Sequence, residues 1–193
     1  MSEEVYAETR KAVETAIPGV FIAPIRSATM ESLLAEDRQR EQRGESRRLG
    51  YINDSKTMRA TLSPSMEVFI DPENFRIDGS NSLPTDSQKQ MIQIAGERFR
   101  ERLPENLRQN IVFEMMDPST MSQLEDAWMD AGNGLLLPNY FARTDVKTVE
   151  GYVARVGHVG PSYQRHVNVW FRGYGLDVVF GVLVGVLPQK LAA

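Results

Sequence analysis

The segment from Thr148 to Leu187 constrains the fold of this chain more than any other, because it carries the densest run of β-branched and apolar residues. Such side chains pack well on the pleated backbone of a sheet. Gly160–Gln164 and Gly173–Gly175 interrupt the run with glycine or proline, which are typical of tight turns. The pattern therefore predicts three consecutive antiparallel strands that form a C-terminal β-meander.

The last of these strands, Leu176–Leu187, has apolar side chains on both of its faces, with Val184 on one and Leu183 on the other. A strand of this kind is covered on both sides, either by a helix of the same chain or by a second subunit. Gly181 and Gly185 leave room for a backbone or a bulky ring to approach closely. The second interpretation predicts these interface residues: Val179, Gly181, Leu183, Gly185, Leu187 and, on the preceding strand, Trp170.

Composition limits the classes of protein to which the chain can belong. Its 193 residues suit a single domain, 1–193, and a hydrophobic content of 41% is enough to build a core. The net charge of −4 argues against nucleic acid as a partner held by bulk charge. The absence of cysteine excludes disulfides, thiolate zinc sites and a cysteine nucleophile.

The N-terminal stretch MSEEVYAETRK is acidic and lacks the basic region and apolar core of a signal peptide. No run in the sequence reaches the ~18 apolar residues that a membrane-spanning helix needs. We therefore expect no signal peptide, no transmembrane helix and no membrane insertion. The expected location is the cytoplasm or a particle assembled there, such as a virion.

Two segments carry the apolar spacing of long helices. Ser2–Ile17 has acidic residues in its first turn, and a Pro-Gly pair follows it. Thr85–Leu103 presents one apolar face, and its first residue together with Gln88 predicts a capping box. We expect this second helix to cover the C-terminal strands.

A third helix is predicted after the apolar strand Ile111–Met116. Its N-cap is Asp117 or Ser119, and it ends at Ala131, before a glycine. The alternation of strands and helices in this part of the chain is typical of crossover connections.

Shorter strands are predicted at Val20–Ile25, where Pro24 indicates a sheet edge, and at Met66–Ile70. Asn139–Val146 is predicted to be a connection into the meander. Together these elements predict an α+β fold. We expect a mixed or mainly antiparallel sheet with the C-terminal meander, helices packed on one face, an N-terminal helix and a charged arm.

Residues 36–62 are predicted to be a polar arm or long loop, because charges of both signs alternate along the first half of this segment. Arg38, Arg40 and Arg43 have the composition of a phosphate-binding patch, but acids such as Glu41 nearly cancel their charge. We interpret the segment as a solvated face or arm and include Arg38, Arg40 and Arg43 among the candidate interface residues.

The two histidines of the chain, His158 and His166, lie opposite each other if the hairpin between them is centred on Ser162. Such a pair can share a metal or act as a pH-sensitive contact. A change of one residue in register separates them, and no third ligand is near in the sequence. We therefore expect surface or interfacial histidines, with no metal and no cofactor.

Glu114 and Asp117 come at the end of a predicted buried strand, where α/β folds often place their sites. With Asp126 and Asp130 they could line an acidic cleft, although the i,i+4 spacing of the last two residues most simply indicates a helix face in contact with water. The sequence contains neither the Gly-x-Ser-x-Gly elbow of hydrolases nor a phosphate-binding loop.

The last predicted strand, Leu176–Leu187, which we call the tail, is apolar on both faces, and the sequence has no catalytic motif. These features favour a non-enzymatic structural or interaction subunit of a homo-oligomeric assembly. A phage virion component (connector, neck or tail) or a secretion-type particle fits this description. Self-association and other subunits are the expected partners. Two alternatives stay open. One is a small hydrolase-like or metal-dependent enzyme that uses Glu114 and Asp117 or the histidine pair His158 and His166. The other is an adaptor that binds protein or nucleic acid.

Overall fold

The computed structural model describes residues 2–52, 56–147, 153–158, 165–170 and 179–187. Over these residues the chain has the predicted α+β fold. The helices are α1 (Glu3–Ala16), α2 (Met30–Gln42), α3 (Lys56–Arg59), α4 (Thr85–Arg100), a 3₁₀ helix (Glu105–Asn110) and α5 (Pro118–Asp130). The strands are β1 (Phe21–Ile25), β2 (Ala28–Thr29), β3 (Leu49–Ile52), β4 (Leu62–Ser63), β5 (Met66–Ile70), β6 (Val112–Phe113), β7 (Phe141–Lys147), β8 (Val153–His158), β9 (Arg165–Trp170), β10 (Val179–Phe180) and β11 (Gly185–Leu187).

The first sheet has the strand order β1-β5-β11-β6, and its neighbouring strands are antiparallel. Strand β1 lies at an edge, as Pro24 predicts, because proline has no N–H to donate to a further strand. At the opposite edge, side chains of α4 bond the carbonyls around β6: Gln93 Nε2 lies 2.7 Å from Phe113 O, and Arg100 Nη1 lies 3.3 Å from Ile111 O. These contacts occupy the carbonyls flanking Val112 on the short edge strand.

Helices cover both faces of this first sheet, where the sequence led us to expect one covered face. Phe69 of β5 belongs to a core shared with α1 and α4, whereas its neighbours Val68 and Ile70 belong to a core shared with α5. All three side chains are at most 1% exposed. Strand β5 is therefore apolar on both faces because each face packs on helices of its own chain.

The second sheet has the strand order β10-β7-β8-β9-β3. Strands β7, β8 and β9 are consecutive and antiparallel, so the C-terminal part of the chain does contain a meander. Its first strand is Phe141–Lys147, which corrects the prediction of a connection over 139–146. The predicted loop at 160–164 and the predicted turn at 173–175 lie outside the described residues.

The predicted final strand is two strands that belong to different sheets. Strand β10 pairs in parallel with β7, whereas β11 inserts between β5 and β6 of the first sheet. Between them the backbone bonds the loop after β5, with Ile77 N 3.0 Å from Gly181 O and Leu183 N 2.8 Å from Phe75 O. Residues 179–187 therefore cross from one sheet to the other, and Val182 and Val184 are buried along the crossing.

Helix α5 lies between the two sheets, where it contacts β1 on one side and β7 and β8 on the other. Its buried polar side chains have defined partners. The Gln123 amide accepts from Arg26 N at 3.1 Å and donates to Arg26 O at 3.0 Å and to Ser63 Oγ at 2.8 Å. Ser119 Oγ donates to Thr61 O at 2.7 Å. These bonds satisfy groups that would otherwise be costly to bury.

Part of the predicted arm is regular structure. Helix α2 continues to Gln42, and β3 begins at Leu49 and pairs in parallel with β9. Asp37 of α2 is only 3% exposed, and its carboxylate accepts from the backbone N–H groups of Arg48 and Leu49 at 2.7 and 3.3 Å. A buried carboxylate thus holds the chain after α2 against the helix, instead of leaving it in solvent.

Candidate binding site

A concavity of about 340 Å³ opens between α4, the end of α1 and the loop that follows β5. We call it the arginine pocket, because Arg76, Arg98 and Arg102 contribute to its lining. Its apolar lining includes Ile17, Phe69, Phe99, Phe113 and Leu183. Its volume lies near the lower end of the roughly 300–1,000 Å³ typical of ligand pockets.

Three phenylalanines form the aromatic floor of the arginine pocket. The ring centroids of Phe69 and Phe99 are 5.6 Å apart, and Phe113 lies 5.7 Å from the first and 5.2 Å from the second in edge-to-face arrangements. Two glycines make room for these rings. A Cβ on Gly96 of α4 would lie 2.7 Å from Phe113, and a Cβ on Gly185 of β11 would lie 2.1 Å from Phe69.

The three arginines of the pocket differ in how firmly they are held. Arg76 forms an ion pair with Asp78 at 3.0 Å, and its guanidinium lies 4.9 Å from the ring centroid of Phe180. Arg102 donates to the Ala16 carbonyl at the end of α1. The last turn of this helix contains no basic residue. Arg98 is exposed and forms no ion pair with other residues in the described ranges.

One carboxylate, that of Asp71, also lines the arginine pocket. It accepts from the Glu73 backbone N–H at 3.1 Å and from the Asn74 side-chain amide at 2.8 Å. Both of its oxygens are therefore engaged in holding the turn after β5. Since the lining has three arginines and one aspartate, the pocket is cationic on a chain whose net charge is −4.

A more open concavity of about 650 Å³, the α1 groove, adjoins the arginine pocket. It lies between α1 and the first residues of the 3₁₀ helix. Arg102 lines both concavities, so its guanidinium marks the boundary between them. The remaining residues that line the α1 groove are Glu8, Lys11, Ala12, Thr15, Ala16, Pro104, Asn106 and Leu107.

The predicted interface residues of the tail are mostly buried inside their own chain. Val179 and Leu187 are 0% exposed, and Gly181 and Gly185 are also buried. A fully covered side chain has no surface to offer a second subunit, so a subunit contact has to use other residues. Leu183 is the exception, because it is half-buried and lines the arginine pocket.

The remaining candidate residues of the meander are Trp170 and the two histidines. Trp170 belongs to β9, but its side chain lies outside the described part of the chain. The register of β8 and β9 pairs Gly157 with His166 and His158 with Arg165. The two histidines are therefore not cross-strand partners, which corrects the register in which they could share a metal.

Two of the three candidate arginines in the charged segment pair with a nearby acid, as the charge pattern suggests. Arg40 and Arg43 both lie close to the Glu45 carboxylate, at 3.4 and 2.8 Å. The hydrogen bond from Arg43 lowers the pKa of the Glu45 carboxyl below its ordinary value. Arg38 is exposed on α2. Exposed pairs of this kind contribute little to stability, and they reduce the positive field that a phosphate group would need.

Most of the carboxylates of the predicted acidic site bind other groups of the chain. Asp117 is the N-cap of α5, and its carboxylate accepts from Thr120 N at 2.9 Å and from the Thr120 hydroxyl. Glu114 is exposed. Asp126 and Asp130 pair with Arg48, whose Nη1 lies 3.6 Å from the first and whose Nη2 bonds the second. Three of the four carboxylates therefore have structural partners in the described chain.

The hydrogen bond from Arg48 lowers the pKa of the Asp130 carboxyl, against the smaller effect of burial. Its contribution to stability is therefore complete above the unfolded-state pKa of about 4 and is lost as the pH falls through the lower folded-state pKa. We expect Arg48→Gln to return the pKa of Asp130 to its ordinary value, as measured by NMR of the carboxyl carbon. Arg38→Gln is the control. An Asp130 pKa that stays low in Arg48→Gln would contradict this assignment.

Across the described ranges, no cluster of three or more histidine, aspartate or glutamate side chains is arranged to hold a metal ion. No described helix combines the length and the apolar character needed to cross a membrane. Comparisons of the chain with protein-family models, with curated proteins and with solved structures find no match.

Proposed function

We propose that this chain is a non-enzymatic interaction subunit of a multichain assembly, and that the surface formed by α1 and α4 holds an extended segment of another chain. The observation that supports this most is the junction at Arg102, where the arginine pocket and the α1 groove adjoin. Two neighbouring concavities suit a segment that places one apolar side chain in each, as in peptide recognition by grooves.

The charge of the surface supports an acidic partner. Arg98, Arg102 and Lys11 surround the two concavities, and Glu8 and Asp71 are the acids that line them. The cations of the lining therefore outnumber its acids, and hydrogen bonds within its own turn hold the Asp71 carboxylate in place. Opposite charge on a partner segment raises the association rate and fixes its register. We therefore assign a partner segment that carries acidic groups between apolar side chains.

This surface replaces the tail as the proposed contact. A homo-oligomeric particle, viral or secretory, stays the broader expectation from the sequence. Light scattering of the purified chain at micromolar concentration tests that expectation separately. A species of 21.8 kDa at all concentrations would exclude self-association while leaving a contact with a different chain in place.

A labelled peptide tests the α1–α4 surface directly. We expect a fluorescein-labelled decapeptide of alternating glutamate and phenylalanine to bind, and a lysine–phenylalanine peptide of the same length not to bind, in fluorescence anisotropy. Thr15→Trp fills the α1 groove and should weaken binding about tenfold, which corresponds to about 1.4 kcal/mol. Glu14→Trp, at the adjacent exposed position of α1 outside the groove lining, is the matched control.

Two results would overturn the proposed function. The first is equal binding of the two peptides, since charge would then play no part. The second is equal weakening by Thr15→Trp and Glu14→Trp, since the peptide would then bind away from the groove. Circular dichroism of both variants shows whether α1 has kept its helix.

A further inference from the structure

We infer that the arginine pocket is a binding site for a small organic anion that consists of one aromatic ring and one carboxylate. The inference rests on the proposed function in one respect, because it names the group of the partner segment that enters this pocket. The site itself stands on the geometry of the pocket, so a free molecule of the same chemistry is a ligand as well.

The size and the lining of the pocket select the ring. A volume of about 340 Å³ is close to the minimum for ligand pockets and suits one ring with a short substituent. Phe99 and Phe113 already meet edge to face at 5.2 Å, the arrangement that aromatic rings prefer. A further ring that enters over Leu183 continues this packing, and it covers apolar surface that water now reaches.

The position of the free cations selects the anion. Arg98 and Arg102 are four residues apart, so the α4 helix and the turn that follows it direct both side chains toward the same opening. Arg102 uses one donor on Ala16 O, and a guanidinium has five. Arg98 forms no ion pair within the described chain. The two guanidinium groups are thus available to one carboxylate, which arginine binds in a planar, two-pronged geometry.

We expect the ligand to carry a single negative charge, because an acid also lines the pocket. The Asp71 carboxylate lines the same cavity and repels a bound anion. Arg76 contributes less attraction than its position suggests, because Asp78 neutralises it at 3.0 Å. With Arg76 paired to Asp78, the charges of Arg98, Arg102 and Asp71 leave one net positive charge, which a monoanion neutralises. The second negative charge of a phosphate monoester would have no free cation to offset it. These charges favour a carboxylate over a phosphate.

The test uses 4-fluorophenylacetate, observed by ¹⁹F NMR as it is titrated against the full chain. We expect saturable binding, about tenfold weaker binding of the uncharged 4-fluorophenylacetamide, and weaker binding of 4-fluorophenyl phosphate. Arg98→Gln should weaken the binding of 4-fluorophenylacetate about fivefold, since an ion pair at the rim of the pocket contributes on the order of 1 kcal/mol. Ala95→Leu, which fills the pocket from α4, should abolish binding, and Arg38→Gln on α2 should leave it unchanged.

The outcomes separate this inference from the proposed function. Carboxylate binding that depends on Arg98, without any peptide binding, keeps this site and refutes the proposed partner segment. Peptide binding that depends on Thr15 but not on Arg98 or Ala95 refutes this site and keeps the proposed function. Equal binding of the acid and the amide, tighter binding of the phosphate, or no saturation at millimolar concentration each overturns the assignment of a carboxylate site.

Discussion

Replacing Gly185 with alanine is expected to lower the free energy of unfolding by about 3 kcal/mol, the upper end of the usual cost of overpacking. A Cβ at this position would lie 2.1 Å from Phe69 Cζ and 2.3 Å from Cε1. Phe69 is only 1% exposed and packs against Phe99 and Phe113, so moving its ring away from position 185 would disrupt these aromatic contacts. Urea unfolding measures the change, and the melting temperature should fall by roughly 6–12 °C for a chain of this length.

Gly181→Ala provides the matched control in the same tail. Its added Cβ would lie 3.6 Å from the Ser80 side chain, which is an ordinary contact, and we expect a change within about 1 kcal/mol. The Phe69→Leu background should reduce the cost of Gly185→Ala, because the smaller side chain removes the clash. Equal costs for Gly181→Ala and Gly185→Ala would show that Phe69 does not determine the residue at position 185.

The contrast between these glycines shows what the tail pattern could predict. Apolar residues on both faces indicate a covered strand, and the burial of Val184 on one face and of Val179 and Leu187 on the other confirms the cover. The two glycines indicate the close approach of a backbone or a bulky ring, and at Gly185 the group that approaches is the ring of Phe69 from the same chain. It could not show that the chain leaves one sheet after Phe180 and enters another, because both sheets demand the same apolar side chains.

Two local predictions, the capping box at the start of α4 and the connection over 139–146, are wrong because the side chains involved bond residues that are distant in the sequence. The predicted capping box of Thr85 and Gln88 is wrong, because the Gln88 amide instead donates to Ser80 O and Val179 O at 2.6 and 3.1 Å. Strand β7 was missed because it buries a charged residue. Arg143 is only 2% exposed and donates to Thr85 Oγ1 at 2.7 Å. Such partners come from other parts of the chain, and sequence spacing does not reveal them.

The arginine pocket was not predicted for a related reason. Its lining comes from the end of α1, from β5 and the loop after it, from α4, from β6 and from the tail, which are far apart in the sequence. One local signal was present. Arg98 and Arg102 flank Phe99 at helical spacing near the end of a predicted amphipathic helix, which places two cations beside an aromatic ring. Without the packing of the tail, that signal is equally typical of a solvated helix end.

The buried carboxylate of Asp37 is expected to be the second strongly stabilising group, and its effect lies in the segment that was predicted to be an arm. Its Oδ1 accepts from Arg48 N at 2.7 Å, and its Oδ2 accepts from Leu49 N at 3.3 Å and from Arg47 Nε at 3.2 Å. Asp37→Ala leaves these donors without their acceptor and should cost about 3 kcal/mol in the free energy of unfolding.

The neighbouring acid provides the control for Asp37. Glu36 is exposed and pairs with Arg26 on the surface, so Glu36→Ala should cost less than about 1 kcal/mol. Hydrogen exchange adds a local measurement, because the amides of Arg48 and Leu49 should exchange faster in Asp37→Ala and not in Glu36→Ala. If the two variants behave alike, the segment after α2 is held by its pairing with β9 alone. If only Asp37→Ala has these effects, the Asp37 carboxylate is what orders the charged segment between α2 and β3, which the sequence pattern predicts to be solvated.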